Sequence, residues 1–306
     1  MTGQLPYRTL SSFLREQFGK RVHKITLDAG LSCPHRDGDK SGGCIYCNAK
    51  GSGTGAASQG IGIREQIESG MASMSRRCKA AAFIAYFQSF SNTYADIHTL
   101  QRIYDTILPY PEIVGMAVGT RPDCIDEEKL SLITSYAEHR IVWMEYGLQS
   151  AHDDTLRRIN RGHDLQSFID AVELTSGFDV RICTHVILGL PGEGIEHYVE
   201  TAKLISRLPV TDVKIHLLYV VRGTALEDIF RKGGYVPMEM DGYAAAAASF
   251  IGHLRDDIVI QRITGDPHAD ELVAPSWALD KQRVRESILH KMAASGIRQG
   301  SMLSGQ

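Results

Sequence analysis

Residues 22–47 read VHKITLDAGLSCPHRDGDKSGGCIYC. Val22 to Leu27 has the make-up of a short strand, and it empties into a loop that carries Cys33, Cys44 and Cys47. A CxxC pair such as Cys44 and Cys47 lets two thiolates reach one metal centre from a single tight turn, and Cys33 brings a third sulfur across a glycine-rich loop. Three protein ligands leave a centre open to a further molecule, whereas structural sites normally close with four. His35 allows a second arrangement, because Cys33, His35, Cys44 and Cys47 could close a Cys3His zinc site. Three unrelated thiols are a third reading.

The rest of the composition narrows the class. A chain of 306 residues is long enough for two domains, but α/β barrels of this length are routinely one. With 43% hydrophobic residues a sizeable core is available, and no apolar run approaches membrane-helix length, so no membrane association is expected. The start, MTGQLPYRTLSSF, has no apolar signal core, and the expectation is a cytoplasmic protein. The net charge of −3 argues against a strongly electrostatic nucleic-acid binder. Six cysteines without regular spacing beyond the loop make no disulfide framework. Cys78, Cys124 and Cys183 stand apart and read as small buried side chains.

Along the chain, strand and helix patterns alternate. Leu10, Phe13, Leu14 and Phe18 have helical spacing, with Gly19 as a stop. After a loop rich in Gly, Ser and Ala (48–62), helices are expected at 63–77, 96–108 and 126–139, the last capped by Asp126, and further on over HDDTLRRI, SFIDAVELTSG and EHYVETAKLISRL. Strands are expected in AAFIAYFQ, IVGMAV, IVWMEYGLQ, VRICTHVILGLPG and DVKIHLLYV. With Val22–Leu27 these make six strand–helix units, hence right-handed crossovers and a parallel sheet. The fold class expected is α/β, an incomplete (βα)6 parallel barrel with a C-terminal α/β extension. Its parts would be a helical segment (1–21), the barrel (22–224), an extension packed on it (225–297) and a disordered tail (298–306). The extension carries LEDIFRKGGY, an Ala-rich helix at 243–254, a strand IVIQRITG and a helix around 280–295.

Ligands of such barrels bind at the carboxyl ends of the strands, so the polar residues there are the site candidates. They are Gln88, Ser89, Ser91 and Asn92 after the second strand, Thr120 to Asp123 after the third, and Glu145, Gln149 and Ser150 along and after the fourth. GLPGE (189–193) follows the fifth, and His216 lies on the sixth. Turn capping is the competing reading for any one of them.

The cluster loop, leaving a first strand with Tyr46 beside the last cysteine, resembles that of the radical S-adenosylmethionine (SAM) superfamily. YGLQSAHDDTLRRINRGHD, with Gln149, Ser150, Arg161 and His163, is similar to the SAM-contacting stretch of oxygen-independent coproporphyrinogen oxidases and Elongator-type radical SAM proteins. TRPD, VILGLPGE and KIHLLYVVRGT resemble the Elongator-like branch. FQSFSNTYAD, GTRPDC and TGDPHADELVAPSW together resemble the stand-alone YhcC-like group, and the resemblance spans roughly residues 5–295.

The resemblance implies that Cys33, Cys44 and Cys47 hold three irons of a [4Fe–4S] cluster, while the amino and carboxylate groups of SAM chelate the fourth. It implies that Gln149 and Arg161 engage the methionine and ribose of SAM. Tyr46 would lie by the adenine with Ile187, Gly189 and the Leu217–Leu218 backbone. Ser89, Ser91 and Asn92 stand where relatives carry a Gly-Gly-Glu-like motif, and His185 where they often place an acidic ribose partner. Asp123 and His216 are the candidates for substrate handling. The implied activity is reductive cleavage of SAM to a 5′-deoxyadenosyl radical for hydrogen abstraction, fed by a low-potential donor of the flavodoxin or ferredoxin type. The substrate implied is tRNA, with a small metabolite as the alternative. A zinc-binding scaffold is the reading from another class. The short basic groups Arg76–Arg77–Lys79 and Arg157–Arg158–Arg161 read as solvated helix faces.

Overall fold

The computed structural model describes residues 5–37, 42–51 and 53–303. In chain order the elements are α1 (Leu10–Phe18), β1 (Val22–Leu27), α2 (Pro34–Asp37), α3 (Ile63–Cys78), β2 (Ala82–Phe87), α4 (Ile97–Tyr104), β3 (Ile113–Thr120), α5 (Glu127–Ser135), β4 (Ile141–Gln149), α6 (Asp153–Arg158), α7 (Leu165–Ser176), β5 (Arg181–Leu188), α8 (Ile195–Arg207) and β6 (Asp212–Leu217). There follow β7 (Val220–Val221), α9 (Ala225–Arg231), α10 (Met240–Gly252), β8 (Val259–Arg262), β9 (Leu272–Ala274) and α11 (Lys281–Ala294). Helix starts are set by side chains that accept an orphan backbone N–H: Thr9, Asp96, Asp126, Asp164, Thr224 and Asp280 each do so.

Seven strands form one parallel sheet in the order β1-β2-β3-β4-β5-β6-β8, a curled half-barrel with helices on its outer face. The seventh strand comes from the segment expected to be an extension beyond a six-unit barrel. Val259 and Ile260 are buried, and Val213 pairs with Ile260, so the extension lengthens the sheet instead of only packing on it. β7 and β9 form a separate antiparallel pair. The terminal segment expected to be disordered is held as far as residue 303: the Gln299 amide donates to the carbonyls of Arg255 and Ile258, and the Met302 N–H to Gly252. Residues 304–306 of that expected tail lie outside the described residues.

Strand alternation divides the two faces. On β4, Val142, Met144, Tyr146 and Leu148 go outward into the core shared with the helices. Trp143 faces inward, into an apolar plug with Ile84, Ala117 and Val259, sealed by Phe13 and Leu14 of α1. The plug closes the amino-terminal end of the half-barrel; Phe13 meets Trp143 edge to face at 6.4 Å.

Above the plug the inner face turns polar. The fully buried Glu145 is ion-paired with Lys24 of β1 at 2.6 Å, with Lys214 of β6, and bonded to His185 Nε2 of β5 at 2.8 Å. Both ammonium groups also lie over the Tyr86 ring, at 4.8 and 3.9 Å from its centroid. Burial alone would raise the Glu145 carboxyl, but Lys214, Lys24 and His185 hold it well below the usual carboxylate range. Burial, then Lys214, pushes His185 down to about 4.

That depression has a sign. Between about pH 4 and 6.5 the unfolded chain binds a proton at His185 that the folded chain does not, so stability rises with pH across this window. The contribution is roughly 3 kcal/mol at neutral pH, and His216 is displaced in the same direction by burial and by His185. The melting temperature should therefore fall steeply as pH is lowered from 7 to 5. A flat thermal profile over that range would mean that His185 titrates normally in the folded chain.

Candidate metal and cofactor site

The cysteine loop follows β1 and is pinned on two sides. Ile45 N–H donates to Ile159 at 3.0 Å, Leu226 N–H donates to Ile45 at 2.8 Å, and the Asn160 side chain donates to Gly43 at 2.8 Å. Cys44 is buried, Cys33 and Cys47 are half-buried, and none is in a disulfide. Two guanidinium groups face the sulfurs: Arg161 Nη1 lies 3.6 Å from Cys44 Sγ and Arg36 Nη1 3.8 Å from Cys47 Sγ. Burial and then Cys44 push the Cys47 thiol up to about 11, with Arg36 pulling the other way. Cations beside the sulfurs suit a centre that needs thiolates and carries net negative charge.

His35 is occupied elsewhere. Its Nε2 meets the Asn160 carbonyl at 2.8 Å, and its ring lies so close to Gly162 (φ +79°) that a Cβ there would stand 2.5 Å from Nδ1. The imidazole struts the loop against the turn after α6. Among the described residues, the three-ligand set drawn within 4.8 Å, the span of a single ion, is Glu145, Cys183 and His185, not the loop cysteines with His35. Two lysines already neutralise that Glu145. Loop sulfurs spread wider than one ion can bridge fit a polynuclear group, and a fourth ligand already engaged does not fit a closed zinc site.

The opposite walls come from the ends of β2, β3 and β4. Cys33, Cys44, Tyr46, Cys47, Ser89, Ser91, Gln149, Arg161 and His185 all line one cavity, together with Arg36, Phe90, Arg121 and Glu145. Ser89 (φ 111°), Phe90 (φ 57°) and Gln149 (φ 74°) hold left-handed backbone that non-glycine residues rarely adopt, and all three line it. Gly147 is required for space: a Cβ would stand 2.4 Å from Arg161 Nη2, which donates to the Gly147 carbonyl at 2.7 Å. Around the sulfurs, Ser89 Oγ, Ser91 Oγ, Arg161 Nε and the Tyr46 hydroxyl are sealed from solvent without hydrogen-bond partners. Buried polar atoms are normally satisfied, so a group of orphans in one cavity marks where a bound molecule would complete them.

His185 has a defined tautomer. Its Nε2 must donate to the ionised Glu145, and with its pKa pushed down to about 4 the ring is neutral, so Nδ1 is left as an acceptor. His163 lies with Nε2 3.2 Å from the Gly147 carbonyl; burial and Arg161 push it down to about 3, so it too is neutral.

Gln88, Thr120 and His35 line the cavity too, while Asp123, Asn92, Ser150, Ile187, Gly189, His216, Leu217 and Leu218 are not part of its lining. Asp123 chelates Arg121 at 2.8 and 2.6 Å; burial would raise its carboxyl, but Arg121 holds it below the usual range. Arg121 in turn donates to the Arg161 carbonyl at 2.7 Å, so Asp123 acts through two residues. Asn92 clamps the ends of β2 and β3 by donating to the carbonyls of Phe87, Ser89 and Gly119. Ser150 donates to Glu193 and accepts from the His152 N–H. Ile187 and Leu218 belong to an apolar cluster against which Tyr46 packs. Leu217 faces the helices, and Gly189 lines a separate groove with Tyr235 and Met238. His216 stacks on His185, ring centroids 5.3 Å apart.

Sequence reasoning named no role for Arg36, Phe90, Lys24 or Lys214. For the two lysines a signal existed, since each puts a charge in the middle of a short strand, VHKITL and DVKIHL. Arg36 and Phe90 carried no signal beyond their place in the loops.

A family model for the Radical SAM superfamily matches residues 33–205, and one for the Radical_SAM C-terminal domain matches residues 210–294. MJ0486 of Methanocaldococcus jannaschii is 36% identical over 293 residues, covering 94% of this chain and 90% of its own length. YhcC of Escherichia coli is 36% identical over 266 residues, covering 86% and 85%. Among solved structures, Elp3 of Methanocaldococcus infernus superposes with a TM-score of 0.71 at 16% identity, over 92% of this chain and 64% of that one, so this chain spans less than two thirds of it.

Replacing Gly162 by Ala should destabilise the fold by about 1–3 kcal/mol, because the new methyl meets the His35 ring on backbone that disfavours a side chain. Thermal melting measures this, and adding His35→Ala should recover part of the loss. If the two losses simply add, the strut between ring and turn is not the cause.

Proposed function

Because the chain belongs to the radical SAM superfamily, in its Elongator-like and YhcC-like branch, we propose that Cys33, Cys44 and Cys47 hold the [4Fe–4S] cluster of that family in the cavity at the carboxyl ends of the strands. The observation that carries this is the meeting of three unpaired cysteines, two guanidinium groups and four unsatisfied polar atoms in one place. When bound, the reduced cluster would pass one electron to SAM, whose sulfonium would split into methionine and a 5′-deoxyadenosyl radical able to abstract hydrogen from substrate.

The chain's own residues bind, orient and shield. Arg161 balances charge at Cys44 and keeps Nε for the cofactor, while Gln149, whose side chain has no partner among the described residues, takes a polar group of the methionine moiety. Ser89 and Ser91 offer hydroxyls to its amino end. Neutral His185 presents Nδ1 as an acceptor to a ribose hydroxyl, the task that a carboxylate performs in relatives. Tyr46, backed by Ile187 and Leu218, gives the adenine an apolar wall, and the packed plug below keeps water out. A flavodoxin- or ferredoxin-type donor supplies the electron.

For the substrate, the Elongator-like relationship supports tRNA. A small metabolite is the second reading, favoured by the placement of the basic residues. Arg157 is paired with Asp154, Arg158 donates to the Pro191 carbonyl, and Arg161 is buried. Arg76, Arg77 and Lys79 are exposed, but they end α3 just before β2 begins, at the far end of the sheet from the cavity.

Anaerobic reconstitution with iron and sulfide, then dithionite and SAM, tests the chemistry. We expect a brown protein that forms 5′-deoxyadenosine without added substrate, close to full iron in His35→Ala, and a bleached Cys44→Ala. A colourless protein that holds zinc and releases it in His35→Ala would overturn the reading. In the tRNA arm, binding should weaken steeply with salt, and no binding at low salt would leave the metabolite reading.

A further inference from the structure

The lumen face of β6 and β8 carries donors that the protein itself does not use. Arg262 stands in register with Lys214, at a bulge after Val213, so the two side chains leave the sheet on the same, inner side. The other lumen cations are taken: Lys214 by Glu145, Lys24 by Glu145 and Gln261, Arg181 by Asp212. Arg262 is half-buried and, among the described residues, its side chain forms neither an ion pair nor a hydrogen bond. Its charge nevertheless reaches Tyr86, His216 and Tyr219.

Those neighbours are unpartnered as well. His216 lies two residues beyond Lys214 on the same face, and its Nε2 is sealed from solvent with nothing to bond. Tyr219 is half-buried against Gly265, where a Cβ would stand 2.6 Å from the ring, and its hydroxyl has no partner among the described residues. Neighbouring rim carboxylates are engaged: Glu271 by Lys50 and Asn48, Asp266 by Lys281. On the inward faces of the strands, among the described residues, four cations (Lys24, Lys214, Arg181, Arg262) face two carboxylates (Glu145, Asp212). A part-buried guanidinium without a counter-charge is costly unless something supplies one.

We infer that this part of the lumen holds an anionic group of the substrate, a carboxylate or a phosphate, with Arg262 as its charged anchor and His216 and Tyr219 as neutral donors. The planar fork of Arg262 matches either group in bidentate fashion. Below this level the Lys24–Gln261 hydrogen bond, at 2.7 Å, bridges the sheet edges β1 and β8. The inference deepens the reading above, because the molecule held is the one from which hydrogen would be taken. The anion site can nonetheless be measured without the reaction.

Isothermal titration of inorganic phosphate and of malonate into the full chain, with and without reconstitution and SAM, provides the test. We expect one saturable site for at least one probe, weakened about tenfold or more in Arg262→Gln and less in Arg262→Lys. Lys232→Gln, an exposed change on the surface, should leave affinity unaltered. Preference for phosphate or malonate identifies the group. No saturable binding to the wild type, or equal affinity in Arg262→Gln, overturns the inference. If Arg262→Gln does not fold, unchanged affinity in both Arg262→Lys and Tyr219→Phe overturns it. Wild-type SAM cleavage is assayed in parallel: Arg262-dependent anion binding without cleavage sinks the radical reading alone, and cleavage without such binding sinks this one alone.

Discussion

One carboxylate organises the interior. Glu145, on the middle strand of the sheet, is shared by Lys24 on β1, Lys214 on β6 and His185 on β5, so a single buried anion ties the β1 edge to the centre and to the strand next to the other edge of the half-barrel. An isolated ion at that depth would cost several kcal/mol. With two ammonium groups and an imidazole around it, the charge is repaid only while all four strands keep their spacing. The same arrangement divides the lumen into an apolar plug below, led by Trp143 and Phe13, and a polar chamber above. It also keeps His185 neutral, with one nitrogen committed and the other left as an acceptor.

The chamber is assembled by residues that accept strain. Ser89, Phe90 and Gln149 hold left-handed backbone at the strand ends, and Gly147 and Gly162 make room for Arg161 and His35. Such conformations persist where the surrounding packing over-determines them. Here that packing is the apolar sheet beneath and the turn after α6, which grips the cysteine loop through Ile159 and Asn160. His35 belongs to this grip, which separates a loop shaped for an open polynuclear centre from a closed zinc knuckle.

Much of the architecture was legible in residue order alone. Val22–Leu27, Ala82–Phe87 and Ile141–Gln149 read as strands because short apolar runs bounded by turn residues suit a sheet buried on both faces, and Asp126 read as a cap because its carboxylate can satisfy an orphan N–H. The seventh strand was legible as a strand but not as part of the sheet. Val259–Arg262 carries no mark of its partner, and its place beside β6 depends on α10 returning the chain to that edge. Residues 298–303 look featureless in composition, yet they dock through backbone bonds to Arg255, Ile258 and Gly252 that composition does not record.

At the site, the three cysteines could be named from local spacing and Gln149 from its place at a strand end, whereas Tyr46 and Arg161 were named through the family resemblance. What each polar side chain faces is a property of neighbours in space. Asp123 and Ser150 have the chemistry of site residues, but neither lines the cavity: Asp123 is held by Arg121, which does line it, and Ser150 by Glu193, which does not. Lys24, Lys214 and Arg262 lie as much as 238 positions apart in the sequence and meet only because a parallel sheet curls. The candidate ligands and the succession of the first six strands were thus encoded locally, by residue type and short-range pattern. Which charges are paired, which donors remain free, and which end of the barrel they serve were decided by the fold, because burial and Coulombic contact exist only once distant strands share a lumen.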